Sequence, residues 1–176
     1  MISSFERDWK NICKIHLFTK HFILLAEELS LDGNTFFQPL KEQRDAYDHI
    51  VRVYAVKMGL KEVPNAGNYI QENMSKALGH EYRAFFDAVD WFSIVLREKV
   101  NSVLEGKNFE DIRSRYSTYP EFKKMLIELP KEIADLREGK DIGNNMDLSM
   151  FDKIESYTKL LDSLTEKYME LAKALI

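Results

Sequence analysis

Apolar positions recur at three- and four-residue intervals along the whole chain, and no run alternates apolar and polar residues between hairpin turns. The pattern predicts helices throughout. A first helix is expected after Ser3, whose hydroxyl can cap while Glu6 reaches back, running through Phe5, Trp9, Ile12 and Leu24. Its stop is expected at Asp32-Gly33-Asn34, because Gly and Asn tolerate left-handed backbone. A second helix should open near Phe36 to Pro39 and end at Gly59, and an unusually long third should run from Tyr69 to Gly106 with a bend near Gly79. "KNFEDIRSRYSTYP" reads as irregular, and helix is expected again after Tyr119-Pro120, kinked or restarted at Pro130 and ending at Arg137 to Gly139. A last helix spans Leu148 to the C-terminus. The expected fold class is all-α, an antiparallel bundle of about five or six helices.

Placing residues at about 100° intervals sets Phe36, Leu40, Tyr47, Ile50, Val51, Tyr54 and Met58 on one side of the second helix, broadened by Ala46 and Val53. Arg44, Asp45, Asp48, His49 and Arg52 fill most of the remaining arc. As isolated i,i+4 pairs these charges are solvated and contribute about 0.2–0.5 kcal/mol each. The third helix changes that balance. "YRAFFDAVDWFSIVL" is apolar on nearly every side, which predicts a central helix, and its only charges are Arg83, Asp87 and Asp90. A buried charge without a partner is costly. A partly buried polar network is therefore expected between the second and third helices, joining His80, Arg83 and Asp87 to Arg44, Asp48, His49 and Arg52.

Composition narrows the class without naming a chemistry. With 176 residues, 45% hydrophobic and 31% charged, the chain suits a single domain over residues 1–176, and its 7 glycines and 4 prolines form no linker tract. The single cysteine, Cys13, cannot form an internal disulfide and is expected as a small buried apolar group, which fits a cytoplasmic setting. "MISSFERDWKNICKIH" interleaves charge with apolar residues, unlike a secretory signal, and runs such as "FILLA" are too short for a membrane span of about 20 residues. A formal charge of −4 disfavours a generic nucleic-acid coat and leaves room for a local basic site.

"RDAYDH", Arg44 to His49, has an Arg-x4-His spacing with an acidic residue after the arginine, and in this it resembles the motif of the HEPN superfamily. That resemblance implies an all-helical homodimer and a metal-independent endoribonuclease of a defence or toxin type, acting on RNA through the ribose 2′-hydroxyl. It makes His49 the general acid/base, Arg44 the group that stabilises phosphate charge, and Asp45 the residue that orients them. "RDAYDH" followed by "HEYRAFFDAVDW" also looks like a pattern of small bacterial helical proteins without an assigned activity.

Other chemistry is weaker in the sequence. Glu42, Asp45 and His49, with His80 and Asp87 opposite, could form a metal stripe, but the paired Glu-x-x-His of bundle metal sites is absent and the nearby arginines repel a cation. No metal or cofactor is expected. "IRSRYSTY" interleaves Arg113 and Arg115 with Tyr116 and Tyr119, a composition that suits phosphate and base contacts when exposed and a bundle end when packed. The second functional expectation is a non-catalytic helical interaction or oligomerisation module, in which the Arg/Asp/His cluster sets helix register or meets a partner.

Overall fold

A computed structural model describes residues 4–30, 35–137 and 148–175. Among these residues there are six helices and no strand: α1 (Ser4–Leu29), α2 (Phe37–Lys57), α3 (Ala66–Leu104), α4 (Phe109–Arg115), α5 (Tyr119–Arg137) and α6 (Leu148–Leu175). The all-α expectation holds. The anticipated Ser3 cap, the Asp32-Gly33-Asn34 stop and the Gly139 end lie outside the described residues.

Helix ends follow local chemistry where they are described. Gly59 adopts φ 70°, and the amides of Leu60 and Gly59 bond the carbonyls of Ala55 and Val56, so a left-handed glycine closes α2. Asn65 opens α3 by accepting from the Asn68 amide at 3.1 Å, several residues before the expected start. From there α3 runs 39 residues, about 58 Å, as one helix through Gly79. The stretch that reads as irregular contains α4, a short helix that Asn108 caps by accepting from the Asp111 amide at 2.8 Å. Acidic Glu110 and Asp111 stand in its first turn and Arg113 and Arg115 in its last, which complements the helix dipole. Pro130 lies inside α5.

Side-chain contacts give the directions of the helices. Ser4 and Asp8 meet Gln71 while His16 meets Glu81 and Phe22 meets Phe92, so α1 runs parallel to α3. By contrast Phe36 packs on Trp91, Glu42 on Arg83 and His49 on Asn73, so α2 is antiparallel to both. Arg137 at the end of α5 reaches Asp90, and Tyr157 of α6 reaches the same residue. The path is thus up, down and up through α1, α2 and α3, then down and up through α5 and α6, with α3 as the shared spine.

The core sits along that spine. Phe85, Phe86 and Phe92 of α3 are fully buried with Phe22 of α1 and Tyr157 of α6, and ring centroids 5.3–6.3 Å apart link them in tilted and edge-on pairs. On α6 the buried hydrophobic residues are Ile154, Tyr157, Leu161, Leu164, Tyr168, Leu171 and Leu175, a strict three–four alternation, with Thr158 buried beside them. Met169 is exposed and Leu160 half-buried, because Tyr157 and Tyr168 take the seam positions.

The second helix departs from ordinary amphipathic packing. Its buried residues are Pro39, Glu42, Ala46 and Val53, whereas Tyr47 (67% exposed), Val51 (45%) and Met58 (70%) look outward with Phe37 and Leu40. A carboxylate therefore faces inward, and much of the apolar stripe faces out. Cys13 is exposed, not buried, because it stands one step round α1 from the core residue Ile12. No helix among the described residues is long and apolar enough to cross a membrane.

Phe85→Ala should lower stability by about 3–5 kcal/mol, read as a reduced urea midpoint at unchanged slope. Ile127→Ala, on the exposed side of α5, should stay within about 0.5 kcal/mol. Equal midpoints for the two variants would contradict the aromatic core.

Candidate functional site

The inward face of α2 meets α3 through a line of polar side chains. Glu42 is 9% exposed, and its Oε2 lies 2.8 Å from His80 Nδ1 and accepts from Arg83 Nε at 2.9 Å. Arg83 Nη2 lies 2.7 Å from the same His80 nitrogen. A guanidinium can only donate, so two proton placements satisfy this triangle. A proton on His80 Nδ1 suits Glu42, and a bare Nδ1 suits Arg83. Burial pushes the Glu42 carboxyl upward, but the hydrogen bonds from His80 and Arg83 and the Arg83 charge outweigh it and hold the group below its ordinary value.

Two turns further along α2, the His49 ring stacks on His80 with centroids 5.4 Å apart and planes 23° from parallel. His49 Nδ1 lies 2.8 Å from Asn73 Oδ1, while Asn73 Nδ2 donates to the Tyr69 carbonyl at 2.8 Å. That second bond orients the amide and leaves its oxygen as acceptor, so His49 donates from Nδ1 and keeps a lone pair on Nε2. The imidazole is therefore held in a fixed orientation on the flank of the α2–α3 seam.

The sequence-derived candidates divide into two groups. His49, His80 and Arg83 lie in the seam, with Glu42 and Asn73 as its other members. Arg44, Asp45, Asp48 and Arg52 pair locally instead. Arg44 has 72% of its side chain exposed and donates to the adjacent Asp45, Nη2 to Oδ1 at 2.7 Å, which lowers the Asp45 carboxyl. Arg52 bridges Asp48 one turn before it on the same helix. Asp87 is half-buried on α3. Arg44 stands about 140° round α2 from His49, so the two point to different sides.

Two other polar groups join helices. Asp90 accepts from Tyr157 Oη at 3.3 Å through Oδ1 and meets Arg137 Nε at 3.1 Å through Oδ2, tying α3, α5 and α6 together. Burial, then the Asp90 charge, push the Tyr157 phenol far above its ordinary value, so it stays a neutral donor. Tyr116 and Tyr119 are buried at the bundle end, while Arg113 and Arg115 remain exposed, the latter on Asp111. Among the described residues no group of three or more His, Cys, Asp and Glu side chains is arranged to hold a metal ion.

Sequence reading put Glu42 only in an acidic stripe and passed over Asn73. The signal for Glu42 was present: positions 42, 46 and 53 share one helix face, and the other two are Ala and Val. No family model matches the chain, and neither does any curated protein or solved structure.

Glu42→Gln removes the negative charge of the acceptor shared by His80 and Arg83 and should cost about 1–3 kcal/mol at neutral pH. Because the folded carboxyl titrates below its ordinary 4.5, its contribution is complete above that pH and fades as the pH falls through the lowered folded value. Denaturant unfolding of both chains from pH 7 to 3 should thus show a gap that closes on the acid side. A pH-independent gap would argue against the ionised triangle.

Proposed function

We propose that this chain works as a helical interaction module that pairs with a second copy of itself through the outer stripe of α2. The carrying observation is the exposed row Leu40, Tyr47, Val51 and Met58, joined by Arg44 and half-buried Tyr54. These six positions follow strict four–three spacing, the seam that two α-helices use to interlock. The row is self-complementary in an antiparallel pair. Leu40 then meets Met58, Tyr47 meets Val51, and Arg44 lies over the Tyr54 ring, each contact occurring twice about the twofold axis. The Glu42, His80 and Arg83 triangle behind the stripe holds α2 in register on α3 and keeps that outer row aligned.

A second reading, metal-independent RNA cleavage of the HEPN kind, is supported by the oriented His49. Its Nε2 lone pair suits removal of a proton from a ribose 2′-hydroxyl, and exposed Arg44, steadied by Asp45, suits a phosphate. The angle between the two side chains around α2 asks for a second chain to complete such a site, so self-pairing is common to both readings.

Light scattering after size exclusion should return the mass of two chains for the wild type and of one chain for Val51→Glu or Met58→Glu, with helical circular dichroism unchanged. A monomeric wild type would remove the pairing proposal. For the second reading, labelled RNA incubated with chelator should be cut by the wild type and left intact by His49→Ala. Equal signals from the two would dismiss catalysis and leave the module.

A further inference from the structure

Between α1 and α2 runs a groove of about 440 Å³, within the size range of small-molecule sites. Its walls are apolar, built from Trp9, Ile12 and Leu17 on α1 and Tyr47 and Ile50 on α2. From the third helix a single carboxylate, Glu81, reaches its floor. Glu81 is only 3% exposed, and its Oε1 meets His16 Nδ1 at 3.0 Å. The other oxygen, Oε2, is buried and has no hydrogen-bond partner among the described residues.

A buried carboxylate oxygen without a donor is costly to leave so. Gln43 does not relieve it, since its Nε2 lies against the His16 nitrogen at 3.3 Å. The terminal torsion of a glutamate is broad, so a partial turn would bring the open oxygen toward the groove. Neither Lys nor Arg lines the space, and the faces of Trp9 and Tyr47 attract positive charge.

We propose that this groove binds a monocationic amphiphile, with an ammonium or amidinium group donating to Glu81 and an apolar body lying against Trp9, Ile12 and Ile50. A cation gives the open oxygen a charge-assisted hydrogen bond in an apolar setting, beside the one that His16 makes to the other oxygen. An alcohol supplies the hydrogen bond without the charge, and a carboxylate ligand meets repulsion. The site belongs to one chain and does not depend on self-pairing, although Tyr47 borders both surfaces.

The test uses three probes of one shape: phenylbutylamine, phenylbutanol and phenylbutyrate, titrated calorimetrically into the intact protein. The amine should bind at least about 10-fold more tightly than the alcohol, the margin of one charge-assisted hydrogen bond, and the acid should bind least. Cys13 supplies an independent readout, because this single cysteine is exposed and lines the groove. Saturating amine should slow its reaction with a thiol reagent several-fold. Glu81→Gln should bring the amine down to the affinity of the alcohol, while Val51→Glu should leave the whole series unchanged. Equal affinity for amine and alcohol would mean apolar partition only and would overturn the proposal, as would no binding, binding without protection of Cys13, or loss of binding in Val51→Glu. The charge series is read on the unaltered chain, so it decides the matter even if Glu81→Gln fails to fold.

Discussion

Burial of α3 on almost every side is the constraint from which the remaining structure follows. A helix that places Phe85, Phe86, Phe92, Val89 and Leu96 out of water must be wrapped by its neighbours. Once wrapped, every charge it buries needs a partner within the protein, because desolvation of a lone ion outweighs any packing gain. Three of its carboxylate and basic groups show three solutions. Arg83 meets Glu42 of α2, Glu81 meets His16 of α1, and Asp90 meets Arg137 and Tyr157 from α5 and α6. Each polar link therefore also identifies which helix lies on which side of the spine.

The second helix shows what such pairing does to its neighbour. To supply an acceptor for Arg83 and His80, α2 turns Glu42 inward, with small Ala46 on the same buried face. The rotation that brings Glu42 to the seam carries Tyr47, Val51 and Met58 outward. An ionic triangle inside and an apolar row outside are thus one event seen from two sides. A buried ionic triangle of this kind contributes positional specificity more than net stability. The same rotation opens the groove over Glu81, since Tyr47 and Ile50 become its α2 wall.

The proton arrangement separates the two histidines of the seam. His80 shares its nitrogen with a carboxylate and a guanidinium, whereas His49 is oriented through Nδ1 by a neutral amide. Stacked rings with different partners can carry different chemistry within one cluster. The Arg-x4-His spacing by itself conveys none of this. Five residues of helix send the two side chains to opposite flanks, and only Asn73, 24 residues beyond His49, sets the imidazole's proton.

Helical periodicity, the glycine at 59 and the near-continuous apolarity of 82–96 determined the fold class, the end of α2 and the central place of α3 from the sequence alone, because these are local properties of backbone and solvent. The short α4 escaped notice because its cap, Asn108, sits between glycine and aromatic residues that read as loop. The burial of Tyr157 depends on an acceptor from another helix, Asp90, which the local pattern of α6 does not reveal. The tertiary structure alone decided that Arg83 chooses Glu42, that Asn73 orients His49 and that Glu81, with one oxygen unpartnered, lies at an apolar groove. Each of those outcomes depends on the rotation of one helix against another, a few tens of degrees that packing of the whole bundle sets and that no residue's own propensity encodes.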